Sequence, residues 1–260
     1  MDATPALDAR ALTNSQAPWD SFDPEAYLEH NYRTLRADDR QILAAVRDHF
    51  TAHFEQRPAA GLRGLDVGAG TNLYPSLAML PWCERITLFE RSSANVGWLE
   101  AAVREYGTNW DPFWEVLCEQ PAYRGLPDPR ARLREAAEVV RGDLFAELDL
   151  PERAADIGTM FFVAESLSTD YDEYRGAVGR FARALRPGAP FAVAFMENST
   201  GYAVGGETFP ACKIEQPDVL NGLQGYAEDD LTISHIDVPG SSPLRDGYSG
   251  MLLALGRLRG

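Results

Sequence analysis

Apolar positions along this chain occur in short runs that are separated by longer segments with helical spacing. Five runs predict buried strands: those ending at residues 67 and 89, and those over 137–141, 155–162 and 191–196. Apolar residues recur every three to four positions over 92–106 and 171–185, which predicts amphipathic helices. Two further runs, 231–238 and 250–258, predict an antiparallel hairpin at the sheet edge. This order is typical of a doubly wound α/β fold, with a seven-stranded sheet, helices on both faces and an antiparallel last strand.

The chain before the first strand predicts a helical lid over residues 18–56. Pro24 follows an aspartate, which fits the first turn of a helix. Residues 1–17 are small, polar and proline-containing, and predict a disordered or loosely attached segment. Residues 107–135 do not fit a minimal crossover between parallel strands and predict an insertion. We therefore expect a single domain over 18–260.

The first predicted strand leads into a glycine turn, DVGAGTNLY at 66–74. Gly68 and Gly70 have no Cβ, so the backbone here can pass close to a ligand. The third glycine of a dinucleotide fingerprint is missing, and Asp66 stands just before the turn. An acid is a poor neighbour for a pyrophosphate and a good one for a cationic amino-acid group. A tight turn without a ligand is the plain structural alternative.

Glu90 favours a bound adenosine-type cofactor over that alternative. It ends the second predicted strand, after the apolar run at 86–89. In nucleotide-binding α/β units, an acid at this place accepts hydrogen bonds from the ribose hydroxyls. S-adenosylmethionine carries an ammonium and a sulfonium and has no phosphate, so the turn and the acid together favour it over a nicotinamide dinucleotide.

Composition limits the possible partners. A formal net charge of −15 argues against nucleic acid, because phosphate binding needs a basic surface. The chain has no apolar run near the ~18–20 residues of a membrane span, and its N-terminus lacks a signal-peptide core. Three scattered cysteines indicate a reducing compartment, so we expect a cytoplasmic protein. Only His49 and His53 share a helical spacing, and no metal site is expected.

With these residues in place, the chain resembles class I S-adenosylmethionine-dependent methyltransferases. More narrowly, it is similar to the family of nicotinamide, phenylethanolamine, indolethylamine and thioether methyltransferases, from about Phe22 to Leu258. FDPEAYLEHNY at 22–32 resembles the lid motif of that family, 66–74 its cofactor loop, and NWDPFW at 109–114 its tryptophan-x-proline insertion. The resemblance implies a Rossmann-like methyltransferase that binds S-adenosylmethionine.

The resemblance also implies a set of cofactor contacts. Tyrosines would cover the methionine part, an acid and an asparagine would embrace the ribose, and a second acid with the following backbone N–H would meet the adenine. These positions are Tyr27, Tyr32, Asp66, Gly68, Gly70, Tyr74, Glu90, Asn95, Asp143, Leu144 and Phe161. Tyrosine suits such a cover because it combines an apolar face with a polar tip. Ordinary packing is the alternative for each tyrosine.

Two segments are implied at the methyl acceptor. FFVAES at 161–166 resembles the family segment in which an acid faces the acceptor amine, and here that acid is Glu165. A helix-capping or surface role is its alternative. Phe162 stands where the family has smaller or polar residues, which predicts an aromatic wall. We expect Glu165 and Tyr27 to be the catalytic residues.

The second segment, 197–206, resembles a loop with an aromatic clamp at Tyr202 and a hydroxyl at Ser199. The acid used for nicotinamide is replaced by Phe195 or displaced to Glu197, so nicotinamide itself is not the expected substrate. The register around this segment is left open.

The expected reaction is transfer of a methyl group to a nitrogen of a small aromatic or heterocyclic amine. Oxygen, sulfur and carbon acceptors stay open, because the cofactor half of the site would look the same. A third hypothesis is a binding protein of the same fold that has lost catalysis. The sequence names neither the acceptor nor the oligomeric state, although a monomer is favoured.

Overall fold

The structure, a computed structural model, describes residues 12–146, 150–237 and 247–260. The strands are β1 Leu62–Val67, β2 Cys83–Glu90, β3 Ala137–Arg141, β4 Ile157–Phe161, β5 Pro190–Glu197, β6 Gly201–Val204, β7 Glu207–Pro210, β8 Thr232–Ile236 and β9 Gly250–Arg257. Seven of them form one sheet in the order β3-β2-β1-β4-β5-β9-β8. Strand β9 runs antiparallel to both of its neighbours, while β1 to β5 pair in parallel. Strands β6 and β7 form a separate hairpin.

Helices cover both faces of the sheet. They are α1 Pro24–Asn31, α2 Ala37–Gln56, α3 Tyr74–Met79, α4 Ser93–Ala102, α5 Asp111–Leu117, α6 Pro121–Arg124, α7 Pro129–Ala136, α8 Tyr171–Ala184 and α9 Gln216–Leu223. Successive residues of a strand point to opposite faces. In β5, Ala192 and Ala194 pack into the core formed with α2 and α3, whereas Val193 and Phe195 pack into the core formed with α8 and α9. The predicted doubly wound sheet with an antiparallel last strand is therefore confirmed.

The segment between α4 and β3 contains helices of its own. It includes a short 3-10 helix at Thr108–Trp110 and then α5 to α7. Trp110 and Phe113 are buried there against Tyr74 and the lid. The segment predicted as an insertion is thus part of the larger core.

Two helix ends near the site follow from local sequence. Asp23 caps α1 by accepting a hydrogen bond from Ala26 N, 3.0 Å away, and Pro24 occupies the first turn as predicted. Ser92 caps α4 in the same way, 3.3 Å from Asn95 N. Helix α1 ends at Asn31, and residues 32–36 connect it to α2.

The N-terminal strap, defined here as residues 12–22, differs from the expected loose attachment. Leu12 N donates to Thr169 Oγ1, Leu12 O accepts from Thr169 N, and Asn14 N donates to Glu173 Oε2 over 2.8 Å. At its other end, Asp20 accepts hydrogen bonds from Ser93 N and Oγ. The strap therefore spans from the loop before α8 to the start of α4. The other predicted loose residues, 1–11, and the end of the predicted strand at Val238 lie outside the described residues.

Candidate active site

A cleft of about 770 Å3, partly open to solvent, lies at the carboxyl ends of β1 to β4. Its described lining comes from the loops that follow these four strands, from the strap and the lid tyrosines, and from Tyr202 of β6. In open α/β sheets, ligands bind at this edge, where neighbouring crossovers leave on opposite sides of the sheet. The fold thus brings together residues that are far apart in sequence.

The glycine turn forms the floor of the cleft. Gly68 and Gly70 have φ angles of +65° and +54°, which glycine adopts without steric cost. A Cβ built at Gly68 would lie 2.5 Å from a methyl carbon of Val163, so the turn packs directly on the loop after β4. Both glycines line the cleft, as the sequence predicts.

Glu90 lies beside this turn, 7% exposed, with its carboxylate held by the backbone. Gly70 N donates to Oε2 over 2.9 Å, while Arg91 N and Ser92 N donate to Oε1 over 2.8 and 2.7 Å. Burial raises the pKa of this carboxyl, and the three backbone donors and Asn95 act against that rise by stabilising the anion. The carboxylate is therefore fixed in direction before any ligand arrives. Asn95 lines the cleft next to it.

Asp143 lines the same cleft, two residues after the end of β3. Its Oδ1 accepts a hydrogen bond from Phe145 N over 2.9 Å, and its Oδ2 accepts one from Arg91 Nε over 2.9 Å. Its side chain is 31% exposed. Leu144 lines the cleft beside it. Both carboxylates on which the sequence prediction depends therefore face the same cleft.

The opposite end of the cleft, toward β4 and β5, is aromatic. Tyr27 and Tyr202 meet edge to face with their ring centres 6.5 Å apart, and Tyr32 lies 6.0 Å from Tyr27. Phe161 and Phe162 complete this wall, 6.1 Å apart. Phe162 has a φ angle of +61°, a strained value for a bulky residue, and its N–H donates to Ala194 O over 2.7 Å. The aromatic wall expected from the sequence lines the cleft.

Asp66 differs from its predicted place in the turn. Its carboxylate is buried below the cleft, where it accepts hydrogen bonds from Ser76 Oγ over 2.8 Å and Thr159 Oγ1 over 2.9 Å. Burial raises its pKa to about 7. A strand residue alternates in direction with its neighbours, and this one points into the helix layer. Asp66 ties β1 to α3 and β4 and does not line the cleft.

Tyr74 also lies behind the cleft. Its ring is fully buried and stacks on Phe113 at 5.6 Å, and its hydroxyl donates to Asp39 Oδ1 over 3.1 Å. Burial raises the pKa of Asp39 to about 8. Tyr74 contacts Tyr32 edge to face, so it supports a lid tyrosine without lining the cleft itself.

Glu165 and Ser199 are placed differently from the expected acceptor contacts. Glu165 is fully buried: its Oε1 accepts hydrogen bonds from Met196 N over 3.0 Å and from Ser166 Oγ over 3.2 Å. Its backbone carbonyl accepts a hydrogen bond from Cys212 N. Ser199 is fully buried as well. Neither residue lines the cleft.

Several lining residues were not anticipated from the sequence. They are Asn14, Trp19, Phe22, Thr71, Asn72, Arg91, Val163, Ser166 and Leu167. Phe22 belongs to an unusually aromatic lid sequence, which was a usable signal. Asn14 gave none, since it lies in a small, polar segment where an asparagine is unremarkable.

Unpartnered polar atoms along the cleft suit a polar ligand. Asn14 Oδ1, Thr71 Oγ1, Asn72 Nδ2 and Asn95 Oδ1 are buried and have no hydrogen-bond partner among the described residues. Buried polar groups are normally hydrogen-bonded, so such a set marks a place where a ligand completes the pattern. Hydroxyl, amine and carboxylate groups of an adenosine-type cofactor suit these atoms.

Two solved structures share the fold. The chain superposes on the N-methyltransferase NodS of Bradyrhizobium japonicum, in complex with S-adenosylhomocysteine, with a TM-score of 0.51 at 13% identity, covering 91% of this chain and 99% of that one. It superposes on the magnesium protoporphyrin IX methyltransferase of Synechocystis, with bound S-adenosylmethionine, with a TM-score of 0.54 at 14% identity, covering 93% of both chains. These likenesses show a Rossmann-like fold.

The match to a sequence family is more specific than the likeness in fold. Residues 10–242 match the NNMT/PNMT/TEMT family, and the chain belongs to that family. The indolethylamine N-methyltransferase of Mus musculus is 23% identical over 214 residues, which span 78% of this chain and 80% of the relative. The protein is an S-adenosylmethionine-dependent methyltransferase, and the family resemblance inferred from the sequence is confirmed.

Two absences hold for the described residues alone. Within the ranges 12–146, 150–237 and 247–260, no helix is long and apolar enough to cross a membrane. In the same ranges, no three or more histidines, cysteines and acids are grouped so that they could hold a metal ion.

Proposed function

We propose that this enzyme transfers the methyl group to a nitrogen of a small, flat aromatic or heterocyclic amine. The observation that carries this proposal is the aromatic end of the cleft, formed by Tyr27, Phe162 and Tyr202. Aromatic faces bind planar molecules by stacking and attract cations that lie over the ring. Membership of the family and the likeness to an indolethylamine N-methyltransferase agree with a small amine.

One end of the cleft would bind the cofactor, and the other end would bind the methyl acceptor. Glu90 would hold the ribose hydroxyls and Asp143 the adenine, both on the side of β2 and β3. This leaves the side of β4 and β5 for the acceptor. When bound, the cofactor supplies an activated methyl group on a sulfonium. The protein then has to position the acceptor lone pair in line with it and exclude water, which can contribute up to ~7–11 kcal/mol.

The charges in the cleft favour an acceptor atom that has a free lone pair and does not need to lose a proton before it attacks. Among the described lining residues, Glu90 and Asp143 are the only carboxylates, and both lie at the cofactor end. An aromatic ring nitrogen needs no base at the acceptor, because it has no proton to lose. The same reasoning makes a thioether sulfur the second candidate.

Glu165 is therefore proposed as a positioning residue and not as the base. Its carboxylate links the turn after β4 to Met196 N at the end of β5. This link fixes the backbone that presents Phe162, whose N–H is bonded to the same strand. Moving this turn would move the aromatic wall.

Glu165→Gln is expected to preserve most of the turnover, since the amide oxygen of glutamine can still accept a hydrogen bond from Met196 N. Glu165→Ala should lower the free energy of unfolding by about 1–3 kcal/mol, because buried donors lose their acceptor. Urea denaturation and steady-state rates measure the two effects. If Glu165→Gln instead slowed turnover by about two orders of magnitude at unchanged stability, proton transfer would be assigned to this carboxylate.

The acceptor class is tested with a panel of methyl acceptors and labelled cofactor. We expect turnover with planar nitrogen compounds and none with phenols. Tyr202→Ala should weaken the apparent affinity for the acceptor about 10-fold, because the stacking face is lost, whereas Tyr202→Phe keeps the ring and should stay close to the parent enzyme. Turnover confined to phenols or thiols would refute the proposal, and turnover confined to thioethers would select the second candidate.

The proposals on compartment, substrate charge and oligomeric state rest on the free thiols, the net charge and the position of the cleft. The described free thiols, Cys83, Cys118 and Cys212, are consistent with action in the cytoplasm. A net charge of −15 favours a small cationic or neutral substrate over a nucleic acid. A monomer is proposed because the cleft is formed within one chain.

A further inference from the structure

Asn14 is the one strap residue whose side chain is both buried and polar at the adenine end of the cleft. It is 3% exposed and lines the cleft. Its Nδ2 donates to Asp143 Oδ1 over 3.2 Å. Its Oδ1 has no hydrogen-bond partner among the described residues. A buried acceptor that receives no hydrogen costs about 1–3 kcal/mol, so its presence calls for a physical reason.

The orientation of this amide is determined by its neighbour. Asp143 Oδ1 already accepts from Phe145 N, so it faces the Asn14 amide as an acceptor. Only the NH2 group of an amide can donate to it, which excludes the flipped amide. Since Nδ2 is used in this bond, Oδ1 is the atom that Asn14 has left for a ligand.

The Asp143 carboxylate is itself held from two sides. Arg91 Nε donates to its other oxygen over 2.9 Å, so the carboxylate cannot rotate away from Asn14. A carboxylate offers about four acceptor positions, so Asp143 can accept hydrogen bonds from several sides. Asp143 and Asn14 thus form a pair of adjacent acceptors at one end of the cleft.

We infer that Asn14 is a base-reading residue of the cofactor site: with Asp143, it receives the two hydrogens of the exocyclic amine of adenine. A primary aromatic amine has two N–H donors that point in different directions, and one acceptor can satisfy only one of them. Asp143 takes one hydrogen and Asn14 Oδ1 takes the other. A purine without this amine would leave both acceptors unmatched, so the pair would select adenine.

The strap is what places Asn14 there. Trp19 Nε1 donates to Asn14 O over 2.9 Å, and Asn14 N donates to Glu173 Oε2. The backbone on both sides of the side chain is therefore held, by α8 at its N–H and by the strap itself at its carbonyl. The strap is consequently a part of the cofactor site, in addition to covering it.

Calorimetric binding of two ligands tests the inference without any turnover. The ligands are S-adenosylhomocysteine and its analogue in which the base is unsubstituted purine, without the exocyclic amine. For the full-length chain, Asn14→Ala should weaken S-adenosylhomocysteine by about 3- to 10-fold, the loss expected for one hydrogen bond. The same substitution should change the affinity for the purine analogue by no more than about twofold.

Thr169→Val is the matched control, because it removes the hydroxyl that accepts from Leu12 N and loosens the strap without touching the base. It should weaken both ligands by the same factor, or neither. Equal losses of both ligands in Asn14→Ala would mean that this residue only holds the strap, and would overturn the inference. An unchanged affinity for S-adenosylhomocysteine would overturn it too. Thermal unfolding of each variant checks that the cleft is folded.

Discussion

Glu90→Gln is expected to weaken the binding of S-adenosylhomocysteine by about 100-fold. Hydrogen bonds from hydroxyls to a buried carboxylate contribute about 1.5–3 kcal/mol each, and the ribose offers two of them. A glutamine retains one oxygen but turns an NH2 group either toward the ribose or toward the backbone donors Gly70 N, Arg91 N and Ser92 N. Isothermal titration calorimetry measures the loss directly.

A second ligand separates recognition from folding in this experiment. The 2′-deoxy analogue of S-adenosylhomocysteine lacks one of the two hydroxyls, so Glu90→Gln should weaken it much less than it weakens the parent ligand. Glu197 provides the matched control, because it ends β5 as Glu90 ends β2 and accepts a hydrogen bond from Ser249 Oγ outside the cleft. Glu197→Gln should leave both affinities unchanged. Equal losses of both ligands in Glu90→Gln would show that Glu90 only shapes the turn.

Gly68→Ala is expected to lower the free energy of unfolding by about 2–4 kcal/mol. An L-residue at a φ of +65° costs about 1–2 kcal/mol, and the new Cβ would come within 2.5 Å of Val163 in a packed interior. The affinity for S-adenosylhomocysteine should fall as well, because the turn that carries Gly70 N is displaced from Glu90. Urea denaturation and calorimetry measure the two effects.

Gly70→Ala is the control for backbone strain alone. Gly70 has a φ of +54°, but a Cβ there would meet nothing closer than 3.7 Å. Its loss of stability should stay near about 1–2 kcal/mol. In the Gly68→Ala background, Val163→Ala should recover part of the lost stability by removing the methyl groups in the way, a coupling that a double-mutant cycle measures. Equal effects of the two glycine substitutions would refute the proposed contact.

The sequence predicts the parts of this fold in which local pattern and tertiary packing agree. Strand β3 lies at Ala137–Arg141 as predicted, in parallel pairing with β2, although it is an edge strand and none of its residues is fully buried. Ser92 caps α4 because a hydroxyl at that position meets a free backbone N–H in any context.

The hairpin of β6 and β7 was missed although it carries a usable signal. Gly205 and Gly206 stand between its strands with φ angles of +59° and +90°, and a glycine pair is the common two-residue turn of a hairpin. The strands are four residues each, which is too short for an alternating pattern to register. Its packing on Phe22 and Trp19 stabilises it, and that contact is tertiary.

In the candidate site, too, some residues could be placed from the sequence and others could not. Glu90, Asp143 and the two glycines could be assigned from sequence, because a residue directly after a parallel strand must lie at the carboxyl edge of the sheet. The side chains of Asp66 and Glu165 could not be assigned in this way. A residue within a strand or a tight turn can face either side, and its direction depends on which partners, such as Ser76 or Met196 N, the packing provides.

By itself, then, the amino-acid sequence determined the class of fold, the cofactor and the two carboxylates at the cleft. These follow from strand order and strand ends, which are properties of local pattern. Only the tertiary structure decided that Glu165 lies behind the aromatic wall and that Asn14 lies beside Asp143. Both depend on contacts between segments far apart in the chain, 31 and 129 residues for these two pairs, and hydrophobic periodicity carries no information about such contacts.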